Sequence, residues 1–192
     1  MNDFTFYLGL GWHHIISWDA LDHLLFIIAL AAIYIVSNWK QVLTLITAFT
    51  IGHSLTLALS IYKLVRINSQ WVEFLIPVTI IITAFFNLFQ KDYSPVSLRL
   101  NYFLALFFGL IHGLGFANTI RFMLAKDQSI TLPLLGFNIG LEVGQIAVVS
   151  IILFAGFLII NKIRLQQKWW VWFWSVSTLL IAANMVVDRW PF

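Results

Sequence analysis

At 192 residues, the chain is 61% hydrophobic and only 10% charged, where soluble domains carry about 25% charged residues. A soluble fold has no means of hiding that much apolar surface. The net charge of +3 rests on Lys and Arg beside apolar segments, and there is no cysteine, so a nucleic-acid patch, a disulfide framework and a thiolate metal site are set aside.

The apolar runs are long and continuous, unlike the alternation of about 10 residues per strand in a membrane barrel. The length suits about six crossings of roughly 20 residues each. The expected fold is therefore all-α, a polytopic transmembrane helix bundle. The N-terminus, MNDFTFYLGLG, has no Lys or Arg ahead of its apolar stretch and no small-residue cleavage site. No secretory signal peptide is read there.

Taken in order, the first segment is expected over 13–36, ending at Ser37-Asn38-Trp39-Lys40. The second covers 41–62 and the third 70–89, closed by Lys91-Asp92-Tyr93-Ser94-Pro95. The fourth covers 101–124, the fifth 131–160 and the sixth 169–187. Short connections imply antiparallel neighbours in one bundle. The fifth would be about 45 Å long as a helix, longer than the roughly 30 Å hydrocarbon core. It must tilt, protrude or break, with Pro133, Gly136 and Gly140 as the places for a break.

Tryptophans gather near segment ends (Trp12, Trp18, Trp39, Trp71, Trp169, Trp170, Trp172, Trp174, Trp190), as in an interfacial belt. Lys and Arg divide five to six between the two faces, so charge does not orient the chain.

The informative residues are those that cannot reach water. An ionisable side chain at mid-helix costs about 2.5–3.5 kcal/mol on insertion scales. Four places stand out: Asp22-His23 with His14 upstream, His53, His112 and Glu142. Asp19 and His23 are one turn apart. Asn138, Glu142 and Gln145 form one polar stripe, roughly opposite a stripe of Gly136, Gly140 and Gly144 that would admit another helix closely. Gly109, Gly113 and Gly115 would bring backbone near a group bound at His112.

Imidazoles and carboxylates on several helices suit a divalent cation, and neutral imidazole favours Zn, Ni, Co or Cu over Mg or Ca. Asp19, Asn138 and Gln145 would orient those ligands. Plainer roles stand beside these: His13 solvated near the interface, Asp19 in headgroups or at a helix start, Glu73 interfacial, and His53, Asn138 or Gln145 in interhelical hydrogen bonds.

The blocks GWHHIISWDALDHLLF, TAFTIGHSLTLAL, GLIHGLGFA and FNIGLEVGQ, in that order, resemble the HupE/UreJ family of small membrane proteins. The resemblance implies a nickel or cobalt permease linked to metalloenzyme maturation, in a bacterial inner membrane. It implies that His14, Asp22 and His23 carry the metal signature, with His53, His112 and Glu142 as further polar positions. The spacing between His14 and Asp22 is longer than that family's, and its usual Pro and Gly are absent.

The leading expectation is a permease or binding protein for a divalent transition metal (Ni, Co or Zn), with the lipid bilayer and the ion as partners and self-assembly left open. Without a P-loop, transport would be secondary or facilitated. The alternative is an intramembrane metal-dependent hydrolase acting on a lipid or peptide, with Glu142 or Asp22 as general base. A haem or quinone site using His23, His53 and His112 has no other support.

Overall fold

The computed structural model describes residues 3–65, 67–90, 98–123 and 130–192. Arg66, Lys91 and Lys126, counted above among the loop charges, lie outside them, as do the side chains of Asp19, Arg99 and Arg121. Every regular element among the described residues is helical. The α-helices are α1 (Asp3–Ile16), α2 (Leu21–Ala31), α3 (Trp39–Ile61), α4 (Ser69–Phe89), α5 (Leu98–Met123), α6 (Thr131–Phe157) and α7 (Gln167–Asp188). Four spans are long and apolar enough to cross a bilayer unaided: Val36–Ile61, Ser69–Phe89, Thr131–Lys162 and Gln167–Asp188. The pair α1 and α2 makes a further, bent one.

The first segment is not the single helix expected over 13–36. Helix begins at Asp3, and the chain breaks at Ser17, which turns extended (φ −80°, ψ 150°) ahead of a 3-10 turn over Trp18–Ala20. The two halves meet at 67°. The break survives because its amides find local acceptors: Ser17 N–H donates to the His13 carbonyl at 2.9 Å and Ala20 N–H to that of Ser17 at 3.2 Å. Asp22 sits in the first turn of α2, where a carboxylate meets the positive end of the helix dipole. A broken helix at membrane depth is tolerated only where protein or a cavity takes up the freed backbone.

Two close helix pairs build the centre. Phe49 and His53 of α3 lie beside Gly109 and Gly113 of α5, so these helices run parallel. A Cβ on Gly52 would collide with the Leu106 carbonyl. In the same way Phe4, Leu8 and Ile15 of α1 pass Gly136, Gly140 and Gly144 of α6. Small residues let helix backbones meet without a clash, a common device in lipid, where apolar burial gives helices little reason to associate. The α6 glycines therefore mark close approach and not a break. The helix continues through Pro133, whose missing N–H costs nothing in the first turn, and extends as a π turn to Lys162. Gly109 and Gly113 likewise face α3 backbone and not a bound group.

Helices α4 and α7 run antiparallel. Trp71 packs on Phe192 with ring centroids 5.4 Å apart, and Phe74 on Trp190 at 5.2 Å. The end of α3, the start of α4 and the end of α7 thus share one face, called here the Arg189 face. Trp39, Trp71, Trp169 and Trp190 are exposed near helix ends, as an interfacial belt requires. Trp170 is instead buried against Gly156.

Candidate metal centre

The break between α1 and α2 places His14 at the end of one helix and His23 at the start of the next. Their rings meet edge to face, with centroids 4.6 Å apart. His53 on α3 lies 5.8 Å from His23, and His112 on α5 lies 5.0 Å from it. One ring nitrogen each from His14, His23 and His53 falls within 4.8 Å of the others. His53 is roughly 12 Å along α3 from the Arg189 face, and His112 roughly 16 Å along α5. The cluster therefore lies well inside the helical bundle, at a depth comparable to half of a hydrocarbon core of about 30 Å.

For neutral rings, the hydrogen-bond partners assign two tautomers. Nδ1 of His23 lies 2.9 Å from Oδ1 of Asp22, which also accepts the His23 backbone N–H at 2.8 Å. A carboxylate accepts only, so Nδ1 carries the proton and Nε2 carries the lone pair. Nε2 of His112 lies 3.1 Å from the Thr79 hydroxyl. That hydroxyl already donates to the Ile76 carbonyl at 2.7 Å, so it accepts from His112 and leaves the lone pair on Nδ1.

Neither lone pair meets a partner: Nε2 of His23 and Nδ1 of His112 are buried without a hydrogen bond, as are Nε2 of His14 and both ring nitrogens of His53, one a donor and one an acceptor in the neutral ring. Each unsatisfied buried polar atom costs about 1–3 kcal/mol. The imidazoles are arranged for a guest that accepts lone pairs. Their chemistry fits a borderline divalent cation and not Mg or Ca.

A cavity of about 190 Å³ leads from the cluster. His14, Asp22, His23 and His112 line it, together with Glu73, Gly115 and Arg189. On its far side the cluster rests on aromatic rings. Phe26 stacks on Phe49 at 4.8 Å, lies 5.4 Å from the His112 ring, and meets Phe108 edge-on at 5.9 Å. Phe108 is in turn a wall of a second cavity of about 310 Å³, lined also by residues of α2, α4 and α5 such as Leu30, Asn87 and Leu104 and by Ile33, Tyr34 and Gln90 just beyond α2 and α4. Phe26 thus touches both His112, in the wall of the first cavity, and Phe108, in the wall of the second.

The structure brings together His14, His23, His53 and His112, with Asp22 behind His23. Glu142 is not brought into the set. Its Oε1 accepts from Thr47 at 2.8 Å, roughly 9 Å along α3 from His53. Gln145 accepts from Thr50 at 2.8 Å, which ties α6 to α3 and orients no imidazole. Asn138 Oδ1 is buried without a partner. Asp19 lies in the 3-10 turn before α2. His13 is exposed, as expected of a solvated residue. Thr79 and Arg189 were missed from sequence. Thr79 had one available signal, its position two residues after a proline inside an apolar helix.

Fold and site together define a multi-pass helical membrane protein with an intramembrane histidine cluster. The chain belongs to the HupE/UreJ protein family, whose match covers residues 1–189, nearly its whole length. No curated protein matches it. No solved structure matches it either.

Proposed function

We propose that the chain binds a divalent transition-metal cation, Ni²⁺ or Co²⁺ foremost, and conducts it across a bacterial inner membrane. His14, His23, His53 and His112 are the ligands, with Asp22 and Thr79 holding two of the rings in their binding tautomers. The carrying observation is the set of buried imidazole nitrogens without hydrogen-bond partners. Family membership supports the choice of nickel and cobalt, since the family is regarded as permeases for those ions. The same donors accept Zn²⁺, and a competition series among the three ions ranks them.

The cation would arrive hydrated from the Arg189 face and exchange water for imidazole in the 190 Å³ cavity. Onward passage requires the Phe26–Phe49 stack to part. The hydrolase reading is less favoured because both carboxylates it would use as base are engaged: Asp22 by His23 and Arg189, Glu142 by Thr47.

Elemental analysis of purified protein after exposure to Ni²⁺, Co²⁺ and Zn²⁺, paired with uptake into proteoliposomes, tests this reading. Stoichiometric metal, lost in His23→Ala and His112→Ala, is expected. Protein that stays metal-free, or variants that load like wild type, would refute it.

A further inference from the structure

Arg189 is the last residue to join the site and the farthest in sequence. It follows the final turn of α7, its amide capped by the Met185 carbonyl. Its side chain crosses the wall of the histidine cavity and sets Nη1 3.3 Å from Oδ2 of Asp22. The same Nη1 lies 3.5 Å from the backbone carbonyl of Glu73.

That carbonyl is free for a reason written in the sequence. Pro77 lies inside α4, and proline has no N–H to give to the carbonyl four residues earlier. Glu73 is that residue. The guanidinium is thus held by two acceptors on two helices, a carboxylate on α2 and an orphaned carbonyl on α4. Both are single long contacts, and 30% of the side chain remains exposed. A side chain held in this way can leave.

We propose that Arg189 is a removable cationic plug in the mouth of the histidine cavity, and that an arriving divalent cation takes its place on the Asp22 carboxylate before moving inward to the imidazoles. This rests on the metal-binding reading above. Asp22 then has two jobs on two oxygens. Oδ1 holds the His23 tautomer throughout, and Oδ2 is shared in turn by the guanidinium and the incoming ion. No bond is made or broken beyond this exchange of one cation for another. Glu73, in the wall of the same cavity, adds negative charge that attracts the ion towards the mouth. An anionic or neutral solute gains nothing from displacing Arg189, so the exchange also selects for cations.

The test is the rate of Co²⁺ loading by the full chain in detergent, followed by the visible absorption of bound Co²⁺, in wild type, Arg189→Gln, Arg189→Lys and Pro77→Ala. Removing the charge in Arg189→Gln should speed loading about tenfold or more, since fixed charge near a mouth changes association by such factors. The final Co²⁺ stoichiometry should stay the same. Arg189→Lys keeps a cation and should load near the wild-type rate. Pro77→Ala gives the Glu73 carbonyl its helix partner back, so the guanidinium loses one anchor. Loading should then speed up by less than in Arg189→Gln, in a helix that is if anything firmer. Wild-type or slower loading in folded Arg189→Gln, or slower loading in Pro77→Ala, would overturn the plug while leaving metal binding intact. Wild type that takes up no Co²⁺ at all would instead overturn the binding reading, and the plug with it.

Discussion

The hydroxyl of Thr79 lies 3.1 Å from Nε2 of His112, with its own proton already given to the Ile76 carbonyl. A hydroxyl on α4 thereby decides which nitrogen of His112 carries the lone pair. Removing such a partner behind a ligand typically costs about 10–100-fold in metal affinity. Thr79→Val should show a loss of that size in equilibrium titration with Co²⁺ or Ni²⁺. Thr79→Ser, which keeps the acceptor, should restore most of it. Equal affinity in Thr79→Val and wild type would remove Thr79 from the site.

Glu142 and His53 make a contrasting pair. From sequence both were polar residues at mid-helix, and either passed for a ligand. In the structure Glu142 bonds Thr47, whereas both His53 nitrogens are buried and unpartnered. Glu142→Gln retains an acceptor for Thr47 and should leave metal occupancy unchanged. His53→Ala should lower it. Elemental analysis of the two variants side by side checks this.

Much of the architecture was legible because lipid leaves few options. Continuous apolar runs with short polar joints can only be spanning helices, and the expected bounds of α3, α4 and α7 fall within two residues or so of those observed. The break at Ser17 was only partly legible. Ser and Asp in HHIISWDALD favour caps and turns, and a helix start at Asp19 is one reading, but the apolar run around it reads as one continuous span. The break puts His14 and His23 on either side of the bend. The histidines could be singled out because each is costly in an apolar segment. Arg189 could not, since it stands at a helix end where arginine is ordinary, and its partner is 167 residues away. Thr79 is an unremarkable hydroxyl until its two hydrogen bonds are seen.

The glycines divide by surroundings and not by sequence context. A Cβ on Gly52 meets backbone of α5, whereas one on Gly9 meets nothing within 4 Å. Gly52→Ala should push α3 from α5 and cost about 1–3 kcal/mol. Gly9→Ala should gain about 0.5–1 kcal/mol from helix propensity alone. Thermal unfolding in detergent, followed by helical circular dichroism, checks both signs.

Phe26 forms the floor under the histidines. It is 1% exposed, stacked on Phe49 and set against Phe108. Phe26→Leu removes the aromatic ring while keeping the site apolar. Under the proposed route, it should leave equilibrium binding intact and raise metal leak into proteoliposomes in the absence of any driving gradient. Unchanged leak would place the barrier elsewhere.

The most direct measurement of the central claim is X-ray absorption at the metal edge of protein loaded with one equivalent of Ni²⁺ or Co²⁺. The account predicts a first coordination sphere dominated by three or four imidazole nitrogens at about 2.0–2.1 Å, with their outer-ring scattering reduced in His23→Ala. An all-oxygen sphere, or a spectrum that His23→Ala leaves unchanged, would contradict it.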